Sequence, residues 1–136
     1  MDFLKSIAIA ASGLRAQAGR MRIISENIAN ADSTASSAGA EPYRRRMTTF
    51  KSEMDRALDA QLVALGNVKT DPSEFRIKHE PGHPAADQNC NVKYPNVNSL
   101  VEMTDLREAQ RSYEANVNVI GASRRMIQRT IEILKS

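Results

Sequence analysis

Along the last third of the chain, apolar residues recur at intervals that alternate between three and four. Met103, Leu106, Gln110, Tyr113, Val117, Ile120, Arg124, Ile127, Ile131 and Leu134 keep that rhythm without a slip, and eight of the ten are apolar. A mean period of about 3.5 residues marks a coiled-coil seam. Glu102, Arg107, Glu108, Arg111, Glu114, Arg125, Arg129 and Glu132 fill the rest of the turn, a face for solvent or for another subunit. A helix from Ser99 to Leu134, about 36 residues, extends about 54 Å. It cannot cover its own stripe and needs a partner helix.

The other end of the chain supplies one. Leu4, Ile7, Ala11, Leu14, Ala18, Met21, Ser25 and Ile28 repeat the alternation with a single polar exception. Ala8, Ala10, Gly13, Ala16 and Gly19 keep the remaining surface narrow, which suits a helix touched on more than one side. The alternative is an ordinary two-helix core with an Ala-rich exposed back. The expected fold is mainly α: residues 1–30 and 98–136 form one domain of two long helices paired as an antiparallel coiled coil. Residues 31–97 are a small, irregular, β-containing insertion. Asp2 is placed to cap the first helix and Asn30 to stop it, since Asn tolerates the left-handed conformation. Asn98 or Ser99 opens the second, with Glu102 completing a capping box with Ser99.

Between the helices the period changes. Residues 31–40, rich in Ser, Ala and Gly, read as a flexible loop. Tyr43 to Phe50 alternates like a strand. Ser52 to Leu65 stays open between a helix on Met54, Leu58, Leu62 and Leu65 and a strand from Leu62 to Val68. Phe75 and Ile77 alternate with Arg76 and Lys78, a short strand after the Asp71–Pro72 turn. Pro81, Gly82, Pro84 and Pro95 then punctuate an extended arm.

Composition narrows the function. The 136 residues are 41% hydrophobic but only 4% aromatic, without Trp, so few of the side chains that anchor a globular core are present. A net charge of +3 with mixed signs lacks the one-sided field of a nucleic-acid binder. The single cysteine, Cys90, allows no internal disulfide. No run approaches the ~18 apolar residues of a membrane span. At the N-terminus Asp2, Lys5 and Ser6 break the pattern of a cleaved secretion signal.

Three motifs invite chemistry, and none holds it. His79-Glu80-Pro81-Gly82-His83 has the spacing of a zinc-hydrolase motif, but Pro81 forbids the helix that would aim both imidazoles at one metal. No third histidine exists. Arg44-Arg45-Arg46 resembles a phosphate patch, yet on a strand Arg45 points away from its neighbours; inter-subunit salt bridging or a wall contact is the better expectation. Cys90 has no activating partner at a telling spacing. We expect no enzyme, no metal and no cofactor.

Three stretches carry a family resemblance. Ser25-Glu26-Asn27-Ile28-Ala29-Asn30-Ala31, closing the first helix, and Ser112-Tyr113-Glu114-Ala115-Asn116-Val117, within the second, resemble the signatures of the bacterial flagellar basal-body rod proteins. Asp71-Pro72-Ser73, Pro81-Gly82-His83-Pro84 and Lys93-Tyr94-Pro95-Asn96-Val97-Asn98 resemble the middle arm of the proximal-rod subunit in that family. Asn27, Asn30, Tyr94, Pro95, Asn96 and Asn116 are the signature positions. Cys90 and Asn91 depart from it, standing where a Gly and an aromatic are expected.

The resemblance implies a structural subunit of the proximal rod that polymerises helically, transmits torque and lines the export channel. It implies contacts with copies of itself, other proximal-rod subunits, the ring-to-rod junction protein and the distal-rod subunit. It also implies passage through the flagellar type III export apparatus, without a cleaved signal, to a periplasmic rod in the basal body. Assembly would then run through Leu4, Ile7, Ala11, Leu14, Ala18, Met21 and Ile28 on one helix. On the other it would use Leu106, Tyr113, Val117, Ile120, Ile127, Ile131 and Leu134. Each seam alone buries too little to order so long a helix, so the termini are expected to complete their folding on neighbours. The competing expectation is a generic coiled-coil adaptor, whose seams would look the same.

Overall fold

The computed structural model describes residues 2–136. Its elements run α1 (Phe3–Ala29), β1 (Arg46–Met47), β2 (Phe50–Asp55), β3 (Ala60–Leu65), β4 (Lys69–Thr70), β5 (Arg76–His79), β6 (Asn91–Tyr94) and α2 (Ser99–Lys135). Helices of 27 and 37 residues thus flank a middle region of short strands.

Local chemistry sets the helix ends. Asp2 Oδ1 accepts from the N–H groups of Leu4 at 3.0 Å and Lys5 at 3.3 Å, satisfying two of the orphan donors that open any helix. Asn30 closes α1, but not by turning left-handed: positive φ among the described non-glycine residues occurs at Asp59 and Cys90. Instead its backbone N–H and side-chain Nδ2 both donate to Glu26 O, at 3.1 and 2.8 Å. Asn98 caps α2, its Oδ1 accepting from Leu100 N–H at 3.1 Å. The expected capping box therefore does not form. With Asn98 at the cap the reciprocal position falls on Val101, and Glu102 turns inward.

The strands pair in three antiparallel ribbons: β1 with β4, β2 with β3, and β5 with β6. The open stretch 52–65 resolves as strand, turn and strand, with Phe50 opposite Leu65 and Asp55 opposite Ala60. Asp55 Oδ1 accepts from Ala57 and Leu58 N–H at 2.9 and 3.1 Å, and Asp59 takes φ 50° to close the turn. That side-chain–backbone bonding competes successfully with the helical spacing. The strand expected over Tyr43–Phe50 is shorter, reduced to β1 and the start of β2.

The chain forms two compact units, each drawing on both helices and on the middle region. Unit 1 comprises Met1–Met21, Thr49–Gly66 and Arg107–Ser136. Here the β2–β3 hairpin docks along α1: Val63 N–H donates to Ser12 Oγ at 3.1 Å, and Leu65 lies over Gly19, where a Cβ would meet its Cδ2 at 2.9 Å. The α2 segment meets α1 at Gly13, where a Cβ would come within 3.0 Å of the Asn116 amide, and through Arg20 and Glu108 at 3.8 Å. Its buried residues are small: Ala10, Ser12, Ala16, Ala60, Ala109 and Ser123.

Unit 2 comprises Arg22–Thr48 and Asn67–Leu106. Ile23, Ile24, Ala31, Val92, Tyr94 and Val97 form its apolar core, and Asn27 and Glu102 are buried among them. Among the described residues no helix is long and apolar enough to cross a membrane.

Candidate functional site

The three consecutive arginines are the centre of unit 2. Their backbone alternates along β1 and the residues before it, so the side chains diverge, and each finds a partner within the chain. Arg44 stacks over the Phe75 ring at 4.2 Å and donates to the carbonyls of Asp71 and Ser73 at 3.0 and 3.1 Å. Arg46 pairs with Glu26 at 2.8 Å. Arg45 turns inward, donating through Nε to Glu102 and reaching Asp71 at 3.4 Å and Asp105 at 3.8 Å. Within the chain this run makes intramolecular ion pairs, because carboxylates distant in sequence are brought to it.

Glu102 and Asn27 are each only 1% exposed. A carboxylate so placed needs every partner it can get. Arg45 takes Oε1, and Asn27 Nδ2 donates to Oε2 at 3.3 Å. Asn27 also grips the backbone of Arg46, donating to its carbonyl at 2.8 Å and accepting from its N–H at 3.0 Å. Tyr43 OH donates a second bond to the Asn27 oxygen at 2.7 Å. Both amide donors and the acceptor are in use, which no shorter or differently branched side chain reproduces.

Asn96 continues the network. Its Oδ1 accepts from Arg45 N–H at 2.7 Å, and its Nδ2 faces the Asp71 and Ser73 carbonyls at 3.1 Å. Burial works against the Arg45 guanidinium, but Glu102 and then Asp71 outweigh it and hold its pKa above the ordinary arginine value. Asp71 is held below the ordinary carboxylate range, first by the backbone and side chain of Ser73 and then by Arg45, against the opposing effect of burial. Burial raises the Tyr43 phenol, with Glu26 and Glu102 adding to that and Arg46 opposing.

The other signature positions are structural in the same way. Tyr94 OH donates to Glu80 at 2.9 Å, which raises its pKa. Pro95 is fully buried, and its carbonyl accepts from Arg76 Nε at 3.0 Å. Asn30 holds Ser33 Oγ at 3.0 Å. Asn116 Nδ2 donates to Ser112 O at 3.0 Å. In the His-Glu-Pro-Gly-His run, Glu80 serves Tyr94, and His83 Nδ1 accepts from Ala85 N–H at 3.0 Å. No group of three metal-ligating side chains occurs among the described residues.

The helix seams lie differently from the contacts. Ile7, Ala11, Leu14, Met21, Ile28, Leu106, Tyr113, Ile120 and Ile127 are half-buried, whereas Leu4, Ala18, Val117, Ile131 and Leu134 are exposed. Gly13, Arg20 and Asn27, which touch α2 within their own units, each stand one residue before a seam position. So do Glu102, Ala109, Asn116 and Ser123 on α2. The contact line is rotated by one residue onto a second heptad of small and polar side chains. That repeat of seven from 102 to 123 was present in the sequence, hidden beside the stronger apolar one.

Two family models match this chain: that for flagella basal body rod proteins over residues 7–35, and that for the C-terminal part of the flagellar basal body rod FlgEFG proteins over residues 88–133. Among curated relatives, the flagellar basal-body rod protein FlgC of Agrobacterium fabrum is 50% identical, with 100% of this chain and 99% of the relative covered. FlgC of Bacillus subtilis is 36% identical over 99% of this chain and 100% of its own. FlgC of Salmonella typhimurium is 34% identical over 98% of both chains.

Proposed function

Since this chain belongs to the flagellar basal-body rod protein family and is a structural subunit rather than an enzyme, we propose that it builds the proximal segment of the rod. In this reading it polymerises helically with its own copies and meets other proximal-rod subunits, the ring-to-rod junction protein and the distal-rod subunit. It reaches the periplasm through the flagellar type III export apparatus without cleavage of a signal. The terminal segments 1–30 and 98–136 pair as an antiparallel coiled coil and line the channel, and residues 31–97 reach across to neighbours. The approaches of Gly13 to Asn116, Arg20 to Glu108 and Asn27 to Glu102 support the antiparallel pairing.

The observation that carries the proposal is the unused half of the α2 seam. Met103 is 53% exposed, Val117 46% and Ile131 47%, at intervals that put them on one face of the helix. The intrachain contact uses the small-residue line and leaves this apolar line free for neighbours. A generic adaptor would share the seams, but not the full-length match to rod proteins.

Val117→Asp tests the reading, because Val117 is 46% exposed and lies on the apolar line that the small-residue contact does not use. In cells lacking the native protein, the variant is expected to be exported at the normal level, to be missing from isolated basal bodies and to leave the cells non-motile. Normal incorporation and swimming would overturn the assembly role of this face.

A further inference from the structure

His83 is half-buried in unit 2, in the proline arm between β5 and β6. Its backbone is pinned on both sides: its N–H donates to Glu80 O at 3.2 Å, and its carbonyl accepts from Ala86 N–H at 3.0 Å. The flanking Pro81 and Pro84 stiffen the same turn. So held, the ring makes two bonds of its own. Nδ1 accepts from Ala85 N–H at 3.0 Å, which leaves no place for a hydrogen on that nitrogen. The ring proton of the neutral imidazole therefore sits on Nε2, which lies 3.3 Å from Thr34 Oγ1 and donates to it.

Thr34 stands near the start of the loop that follows α1. The base of this loop is fixed by bonds that do not titrate near neutral pH: Tyr43 N–H to Ser33 O at 3.1 Å and Arg76 to Ala31 O at 2.9 Å. Residues 35–40 have little bonding of their own. One long bond, Ala40 N–H to Ser37 O at 3.4 Å, lies within them, and Gly39 takes φ 86°. Among the described residues, Thr34–His83 is the hydrogen bond that ties residues 34–40 to the arm. Loop and arm meet around a cavity of about 140 Å³, with Ala35, Gly39 and Ala40 on one side and Ala85, Asp87 and Asn91 on the other.

We infer that His83 is a pH-sensitive clasp: neutral, it fastens the loop after α1 to the proline arm, and protonated, it releases that loop. Histidine is the side chain that changes charge between about pH 5 and 8. A proton added to Nδ1 points at the Ala85 N–H, donor against donor, and the ring must turn out of the geometry that reaches Thr34. The two bonds are thus complete at alkaline pH and are lost as the pH falls. The carboxylates on the surrounding segments are engaged elsewhere. Glu80 is bonded by Tyr94 OH at 2.9 Å, and Asp87 Oδ1 accepts from Asn89 and Asn91 N–H at 2.8 and 2.9 Å. On the loop, Asp32 pairs with Arg76 at 3.6 Å and Glu41 with Arg44 at 3.5 Å. On the ribbon, His79 meets Asn91 Oδ1 at 3.4 Å, Lys78 lies over the Tyr94 ring at 4.4 Å, and Lys93 lines the cavity. This clasp goes beyond the rod-subunit reading and does not depend on it.

Nuclear magnetic resonance of the isotope-labelled full chain tests it between pH 8 and pH 5. At pH 8 the His83 ring is expected in the Nε2–H form, with the Ala85 amide protected from exchange. Toward pH 5 that protection, corrected for the intrinsic effect of pH, is expected to fall about tenfold, in step with the His83 ring signals and with shifts in residues 35–40. His83→Gln is expected to abolish the step, and His79→Gln to leave it in place. An Nδ1–H ring at pH 8, an Ala85 amide indifferent to the protonation of His83, or loop signals that move as before in His83→Gln would each overturn the clasp. The ring form is read on the unmodified chain, so the first of these outcomes holds whether or not a variant folds.

Discussion

The two compact units are held together by different means. Unit 2 spends charged and amide side chains internally: Asn27, Arg45, Asp71, Asn96 and Glu102 satisfy one another and tie backbone segments distant in sequence. Unit 1 is closed by small residues. Its α1 segment is approached at Ser12, Gly13 and Gly19, and the ion pairs that segment makes, Lys5–Asp59 and Arg20–Glu108, each span 3.8 Å with one strongly exposed partner. A directional network fixes one arrangement and ties segments distant in sequence. Small-residue contact lets helices approach closely but covers little of them, and unit 1 accordingly carries Val117, Val119, Met126, Ile131 and Leu134 exposed. The contrast lies in how each unit closes, since unit 2 also leaves Leu100 and Met103 exposed on α2.

The comparison breaks most sharply at Arg45. Arg45→Met strands the buried Glu102 carboxylate, and unfolding in urea should show a loss of about 3 kcal/mol, the lower end for a broken buried pair because the arginine is partly exposed. Adding Glu102→Leu to that variant should recover much of the loss. Arg20→Met in unit 1 should cost under about 1 kcal/mol. Equal costs at the two sites would erase the distinction between the units.

Much of this contrast was legible in the sequence, and the rest was hidden for identifiable reasons. The two helices announced themselves through periodicity, and Asp2 and Asn98 marked their starts. The face each helix buries was displaced by one residue, because intrachain contact follows backbone proximity at Gly13 rather than the largest side chains. Arg45 could be seen to point away from Arg44 and Arg46. Its partners could not, since Asp71 and Glu102 lie far along the chain, and Glu102 read equally well as a capping residue. The β2–β3 hairpin was masked by leucines at helical spacing. The resemblance led to an expectation of glycine at Cys90, and this residue is held at φ 62°, a conformation that glycine adopts at no steric cost.

Glycine-to-alanine changes sharpen the same comparison inside unit 1. At Gly13 a Cβ would sit 3.0, 3.1 and 3.2 Å from three atoms of the Asn116 amide, which is itself hydrogen-bonded to Ser112 O. At Gly19 the only contact shorter than 3.4 Å is with Leu65 Cδ2, the free end of a flexible side chain. Both variants gain about 1 kcal/mol of helix propensity. Gly13→Ala should still lose about 1–2 kcal/mol to overpacking, whereas Gly19→Ala should be neutral or stabilising. Urea midpoints that moved together would show that the α1–α2 contact at Gly13 is looser than its distances imply.

The smallest effect is the most specific to unit 2. Asp71 has its pKa lowered on folding by Ser73 and Arg45, so its ionised form is the one the fold favours. Its contribution is complete above the unfolded aspartate value of about 3.9 and is lost as the pH falls through the lower folded value. Asp71→Asn keeps the shape but not the charge, so at pH 7 it should cost about 1 kcal/mol and at pH 3 less than that. The urea midpoints of the two proteins should therefore converge in acid. A constant gap from pH 7 to pH 3 would mean that Asp71 acts through packing alone, and that unit 2 owes its closure to Glu102 and Asn27 without the Asp71 charge.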